Sequence, residues 1–146
     1  MILPKNWKKS AGNGNIKKIC LDTSLFIYYF EAHPEFGPLS KVYFEDLLAN
    51  KLAAVTTIIS LTELLSFTKL ILLPKQIIRD FFNIPNLKVI EVNQEIAITA
   101  AEIRREYHFK LADSIQLATA VFAKADAFLT NDARLKPFKK LKVIIL

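Results

Sequence analysis

Four acidic residues occur near the ends of short apolar runs or at the starts of helical ones. Asp22 directly follows an apolar run, and Asp132 follows another after two polar residues. Glu63 and Asp113 lie near the starts of segments with helical spacing. Carboxylates that cluster repel one another unless some are protonated or a cation lies among them. Hard divalent cations take oxygen ligands, so a cluster with open positions predicts phosphodiester hydrolysis by a metal-activated water.

Polar side chains accompany two of these acids. Thr23 and Ser24 follow Asp22, and Thr130 and Asn131 precede Asp132. Residues of this kind hydrogen-bond ligating carboxylates or bound waters at metal sites and so orient them. We therefore expect Thr23, Ser24, Thr130 and Asn131 to support the four candidate ligands.

Each acid also has a simpler structural interpretation. Asp22 is able to cap the helix that follows it, and Glu63 completes a capping-box pattern with Ser60. Asp113 suits the first turn of a helix, where a negative charge is favourable. Asp132 suits a turn. These alternatives stay open for each residue alone, whereas the four together favour a site.

The elements that must position these residues alternate between strands and helices along the whole chain. Apolar runs predict strands at 16–22, 52–57, 87–92, 126–130 and 141–146. Helical spacing predicts helices near 25–30, 39–50, from Ser60 onward, and at 75–82, 94–107 and 111–124, with breaks at Pro34, Gly37 and Pro38. This order predicts an α/β fold, a three-layer α/β/α sandwich around a mostly parallel five-stranded sheet.

Sites in open α/β sheets lie at the carboxyl ends of the strands. Three of the acids, Asp22, Glu63 and Asp132, reach that edge by topology if the sheet is parallel. Asp113 joins them only if its helix starts at the same edge.

Length and charge bound the class of protein. A chain of 146 residues suits one domain, which we place at 16–146 after a loose basic arm at 1–15. Twenty Lys and Arg against fourteen Asp and Glu give a net charge of +6, which favours a polyanionic partner, either nucleic acid or an anionic surface.

The remaining composition favours a cytoplasmic protein. A single cysteine, Cys20, excludes an intrachain disulfide. The most apolar stretch, 52–73, contains Glu63 and Lys69, which argues against a membrane span. The first residues lack the order of a secretory signal.

Four segments, in order, resemble the motifs of PIN domains: 21–27 (LDTSLFI), 62–65 (TELL), 111–120 (LADSIQLATA) and 128–132 (FLTND). The resemblance covers about 16–146. It implies that Asp22, Glu63, Asp113 and Asp132 bind Mg²⁺ or Mn²⁺ and support hydrolysis of RNA by an endoribonuclease.

Within that family the chain looks most like VapC-type toxins of prokaryotic toxin–antitoxin pairs. The likeness implies a homodimer and a VapB-like antitoxin that blocks the active site. Two features depart from the pattern: about fifteen residues precede the first strand, and the turn at Tyr107, His108 and Phe109 lacks a frequent glycine.

Three other functions remain open. A housekeeping RNA-processing nuclease would use the same four acids. An aspartyl phosphotransferase would use Asp22 as nucleophile but wants an aspartate where this chain has Ser24. A non-catalytic module of the same fold would bind RNA or protein, although such modules usually lose acids that this chain keeps.

Overall fold

A sheet of five parallel strands forms the centre of the computed structural model, which describes residues 16–67 and 69–146. The strands are β1 (Lys18–Leu21), β2 (Ala53–Thr57), β3 (Leu87–Ile90), β4 (Ala127–Thr130) and β5 (Lys142–Ile145), in the order β3-β2-β1-β4-β5. Cys20 of β1 lies opposite Val55 of β2 and Phe128 of β4. The predicted five-stranded sheet is therefore confirmed, and every strand pair in it is parallel.

Six α-helices connect the strands in the described part of the chain. They are α1 (Thr23–Glu31), α2 (Phe36–Leu48), α3 (Ile58–Ser66), α4 (Pro74–Phe82), α5 (Gln94–Tyr107) and α6 (Leu111–Phe122), with a 3₁₀ turn at Ala133–Leu135. None of them is long and apolar enough to cross a membrane.

Two apolar cores separate the sheet from the helices, one on each face. Successive side chains of a strand point to opposite faces, so Ile19 and Leu21 pack with α1 to α4, whereas Cys20 packs with α5 and α6. Phe26 of α1 and Leu117 of α6 are fully buried in the respective cores. This arrangement confirms the predicted three layers.

Helix α2 begins earlier than its sequence predicts. Gly37 and Pro38, which we expected to precede the helix, lie in its first turn after Phe36. Proline is tolerated there because the first N–H groups of a helix have no partner within it. A Cβ on Gly37 would lie 3.2 Å from the backbone carbon of Ala32, so this close approach favours glycine.

Helix α3 also begins earlier, and the predicted capping box is wrong. Thr57 is the N-cap, and its side chain accepts a hydrogen bond from the Ile59 N–H. Ser60 is instead fully buried in the third position of the helix. Glu63 therefore lies in the second turn, where it does not cap the helix.

The connection that follows β1 and the connection that follows β4 lead towards opposite edges of the sheet. The chain passes from β1 to its neighbour β2, and from β4 to β5 on the other flank. In open α/β sheets such a switch point creates a crevice at the carboxyl ends of the two strands. Asp22 follows β1 and Asp132 lies two residues after β4 at this position, and the Asp22 N–H donates to the Leu129 carbonyl at 2.9 Å.

Candidate active site

Asp22 lies at the centre of the crevice and is nearly buried, with 8% of its surface exposed. Its Oδ1 accepts a hydrogen bond from the Thr23 N–H at 2.7 Å, so it does cap α1. Its Oδ2 accepts from the hydroxyls of Thr130 at 2.6 Å and Ser24 at 3.2 Å. Burial raises the pKa of Asp22 and the charge of Glu63 adds to the increase, whereas the three hydrogen bonds oppose it.

Glu63 reaches the crevice from α3 and is held through one oxygen. Its Oε1 accepts from the Thr23 hydroxyl at 2.8 Å and from the Gln116 amide at 2.7 Å. Behind it, Ser60 lies within hydrogen-bond distance of both Thr23, at 3.2 Å, and Thr56, at 3.0 Å. The buried position of Ser60 within α3 thus serves a polar network that supports the acid.

Asp113 lies in the first turn of α6 and is partly buried. Burial raises its pKa, and the negative charges of Asp22 and Asp132 raise it further, while Arg134 and Lys110 lower it. One turn further along α6, the Gln116 amide contacts Thr23, directly after the end of β1, and Glu63, so α6 starts at the same edge of the sheet as β1 ends. The condition that the sequence left open for Asp113 is met.

Asp132 forms an ion pair with Arg134. It caps the 3₁₀ turn, and its Oδ1 accepts from the Arg134 N–H at 3.0 Å. The Arg134 guanidinium donates to Oδ2 at 2.6 Å from Nη2 and to Oδ1 at 2.9 Å from Nε. These hydrogen bonds hold the pKa of Asp132 below its ordinary value. Its own N–H donates to the Thr130 hydroxyl at 3.0 Å, which links it to Asp22.

The donor set fits a hard divalent cation in its chemistry, although its side chains have other partners. Within residues 16–67 and 69–146, no three His, Cys, Asp or Glu side chains converge at metal-binding distance. The partners are Arg134 for Asp132, and Thr23 with Gln116 for one oxygen of Glu63. The charge of Glu63 adds to the raised pKa of Asp22, and the charges of Asp22 and Asp132 add to that of Asp113, and a bound cation relieves repulsion of this kind.

The four polar residues that the sequence predicts as supports differ in their hydrogen-bond partners. Thr23, Ser24 and Thr130 all donate to carboxylates of the crevice. Asn131 differs, because its amide donates to the Tyr28 hydroxyl at 2.8 Å and so ties the β4 exit to α1.

Three residues near the acids are not among those that the sequence predicts: Gln116, Arg134 and Lys110. Gln116 lies one helical turn after Asp113, and residues three apart share a helix face, so spacing alone offered a signal. Arg134 lies two residues after Asp132, within reach of its carboxylate, and Lys110 immediately precedes α6.

The family comparison gives an independent result for the whole domain. A family model described as "PIN domain" matches residues 19–142. The chain belongs to the PIN-domain family. Its five-stranded parallel sheet and two helical layers are the PIN fold, with Asp22 and Asp132 at the switch point.

Solved structures with the same fold come from three bacteria. VapBC2 from Rickettsia felis, bound to a DNA fragment from its promoter, is 20% identical with a TM-score of 0.66 and matches over 88% of this chain and 98% of that chain. A toxin–antitoxin complex from Klebsiella pneumoniae is 26% identical, with a TM-score of 0.60 and coverage of 86% and 95%. VapC20 from Mycobacterium tuberculosis, a Sarcin-Ricin loop cleaving toxin, is 13% identical, with a TM-score of 0.57 and coverage of 75% and 86%. The search of curated proteins gave no match.

Proposed function

We propose that this PIN domain is an endoribonuclease that depends on Mg²⁺ or Mn²⁺ and hydrolyses RNA phosphodiester bonds. The observation that supports it is the group of acids at the switch point, where Thr130 links Asp22 to Asp132 and Gln116 links Glu63 to the helix that carries Asp113. Asp22, Glu63, Asp113 and Asp132 would hold the metal. A divalent cation supplies Lewis-acid activation of water and offsets the negative charge of a phosphate.

The residues of the chain supply orientation and charge for this reaction. Thr130, Ser24 and the Thr23 N–H fix the carboxylate of Asp22 by three hydrogen bonds, so the acid is held in one orientation before any ligand arrives. The burial of Asp22 lowers the local dielectric constant and strengthens its attraction for a cation.

Lys110 and Arg134 provide positive charge at the mouth of the crevice. Both lower the pKa values of Asp113 and Asp132, so both lie within electrostatic reach of the acids. An arginine presents a planar fork of donors that suits a phosphate group, and a lysine attracts a phosphate as a point charge. We assign to them the binding of the RNA backbone beside the reacting phosphodiester.

Cleavage of RNA by the purified protein tests this proposal. With 5′-labelled RNAs of mixed sequence and structure, we expect cleavage with Mn²⁺ or Mg²⁺ and none with EDTA. Asp22→Asn and Asp113→Asn should abolish cleavage. Asp126→Asn is the matched control, because Asp126 lies at the other end of β4, where it accepts hydrogen bonds from the Lys17 and Lys18 N–H groups. Cleavage that survives EDTA, or that Asp22→Asn leaves unchanged, would refute the proposal.

We further propose that the protein is a homodimeric toxin held in check by a VapB-like antitoxin. Two of the structurally similar proteins were solved in toxin–antitoxin assemblies. Leu48 and Leu73 are 70% exposed and Phe82 is 52% exposed, and a protein partner that contacts them would bury these apolar side chains. Expression should arrest growth, and a small protein encoded beside it should relieve the arrest. An Asp22→Asn variant should be harmless, and growth arrest by this variant would separate toxicity from RNA cleavage.

A further inference from the structure

Gln116 has a buried amide side chain on α6, at the boundary of the candidate active site. Only 1% of its surface is exposed. Its Nε2 donates to Glu63 Oε1 at 2.7 Å and lies 2.8 Å from the Thr23 hydroxyl. Its own Oε1 has no hydrogen-bond partner in the described structure. An unpartnered buried oxygen is destabilising, so stability alone does not explain an amide at this position.

The two hydrogen bonds to Glu63 both fall on the same carboxylate oxygen. Thr23 and Gln116 bind Oε1, whereas Oε2 accepts no hydrogen bond from the described residues. A carboxylate fixed in this way keeps one oxygen in the protein network and the other oxygen available to a ligand. Its negative charge also remains, because an amide and a hydroxyl donate without carrying a positive charge.

Helix α6 connects the two sides of the crevice through residues one turn apart. Asp113 lies in the first turn of α6, and Gln116, one turn later, donates a hydrogen bond to Glu63. Because positions i and i+3 lie on the same face of a helix, one rigid element presents both a candidate ligand and the group that orients another. Gln116 therefore links Glu63 directly to the helix that carries Asp113.

We propose that Gln116 is a positioning residue that holds Glu63 with Oε2 free for the divalent cation. This inference rests on the metal-dependent nuclease proposed above. The contrast with Arg134 supports it: a cationic partner at Glu63 would compete with the metal for the carboxylate, whereas a neutral amide orients the acid without opposing the metal.

Mn²⁺ titration of the metal-free protein by calorimetry tests the proposal without any measurement of activity. Gln116→Met keeps a similar volume and removes the donor, and it should weaken Mn²⁺ binding about 10- to 100-fold. Thr119→Val is the matched control on the same helix, because Thr119 is equally buried and its hydroxyl bonds only the Ile115 carbonyl. The control should bind Mn²⁺ as the wild type does.

A double-mutant cycle with Glu63→Gln separates positioning from a general packing role. If Gln116 acts through Glu63, adding Gln116→Met to Glu63→Gln should not weaken Mn²⁺ binding further. In urea unfolding of the metal-free proteins, the shift in midpoint of the double variant should differ from the sum of the single shifts, which reports the contact itself.

The outcomes distinguish this inference from the proposed function. If Glu63→Gln weakens Mn²⁺ binding and Gln116→Met does not, the role of Gln116 would be overturned and the metal site would stand. Additive losses of affinity in the double variant would also overturn it. If the wild type binds no Mn²⁺ but the urea cycle still shows coupling between Gln116 and Glu63, the metal site and any positioning role would be overturned. The hydrogen bond between the two residues would still stand.

Discussion

Thr130 links two of the candidate metal ligands, and its replacement by valine removes both links with little change in shape. The hydroxyl donates to Asp22 Oδ2 at 2.6 Å and accepts from the Asp132 N–H at 3.0 Å, and the residue is fully buried. A hydrogen bond to a charged group contributes about 2 kcal/mol, and the lost acceptor for the N–H costs about 1 kcal/mol. The added methyl group recovers about 0.8 kcal/mol. We therefore expect Thr130→Val to lower the free energy of unfolding by roughly 2 kcal/mol at pH 7.

The effect should depend on pH because it acts on the charged form of Asp22. The Thr130 hydrogen bond lowers the pKa of this acid, so without it the pKa rises further. Protonated Asp22 needs the hydroxyl less than the carboxylate does. The loss of stability in Thr130→Val should accordingly be larger at pH 7 than at pH 4.

Urea unfolding of the metal-free protein in EDTA, followed by circular dichroism, measures this difference. Thr119→Val is again the control, since the Ile115 carbonyl keeps its helical N–H donor when the hydroxyl is removed, and its stability should change by less than about 1 kcal/mol. A Thr130→Val loss no larger than that of the control, or a loss that grows as the pH falls, would refute the reasoning.

Three further predictions concern pH, an ion pair and a helix end. The pKa values of Asp22 and Asp113 are raised from 3.8 in the folded state. Their contribution to the free energy of unfolding is therefore fully present below pH 3.8 and is lost as the pH rises through the raised values. In metal-free protein, Asp22→Asn should make the free energy of unfolding in urea depend less on pH. Arg134→Gln should return the pKa of Asp132 towards its ordinary value in an NMR titration and tighten Mn²⁺ binding, because a competing cation is gone; weaker binding would contradict this. His108 ends α5 at a φ of 59°, so His108→Gly should raise the free energy of unfolding by about 0.5–1 kcal/mol in urea, and a loss would show that His108 makes a compensating contact.

The sequence predicts the layers well because burial patterns determine them. Parallel strands buried on both faces appear as short continuous apolar runs, such as the one that ends at Leu21. Helices α5 and α6 have the apolar spacing of surface-packed helices and follow the predicted ranges closely. The general rule that sites lie at the carboxyl ends of strands predicts the positions of Asp22 and Asp132, and this rule does not depend on side-chain packing.

The positions of helix starts were less predictable, because a hydroxyl suits both a cap and a buried network. Ser60 followed three residues later by Glu63 fits a capping box. In the structure Thr57 provides the cap and Ser60 faces Thr56 and Thr23. The same residue types meet both demands, and only the three-dimensional neighbours decide between them.

The missing glycine before α6 has a similar physical explanation. The sequence shows a departure from the family pattern at residues 107–109, and the structure shows His108 in the left-handed conformation that glycine adopts without strain. Histidine is one of the side chains that tolerate this region more often than most. The turn therefore keeps its geometry at some cost in stability, and α6, with Asp113 in its first turn, still begins at the carboxyl edge of the sheet.

The polar groups that the sequence did not reveal are those that control the charges of the acids. Arg134 lies beside Asp132 and neutralises it, whereas Gln116 lies beside Glu63 and leaves its charge intact. Asp22 and Asp113 have no cation bonded to them in the described structure, and burial raises the pKa of both. A divalent cation would thus gain most from the unneutralised acids and would have to displace Arg134 to reach Asp132. Once displaced, Arg134 would remain beside the crevice as a free guanidinium, which is where a nuclease needs a donor for the phosphate of its substrate.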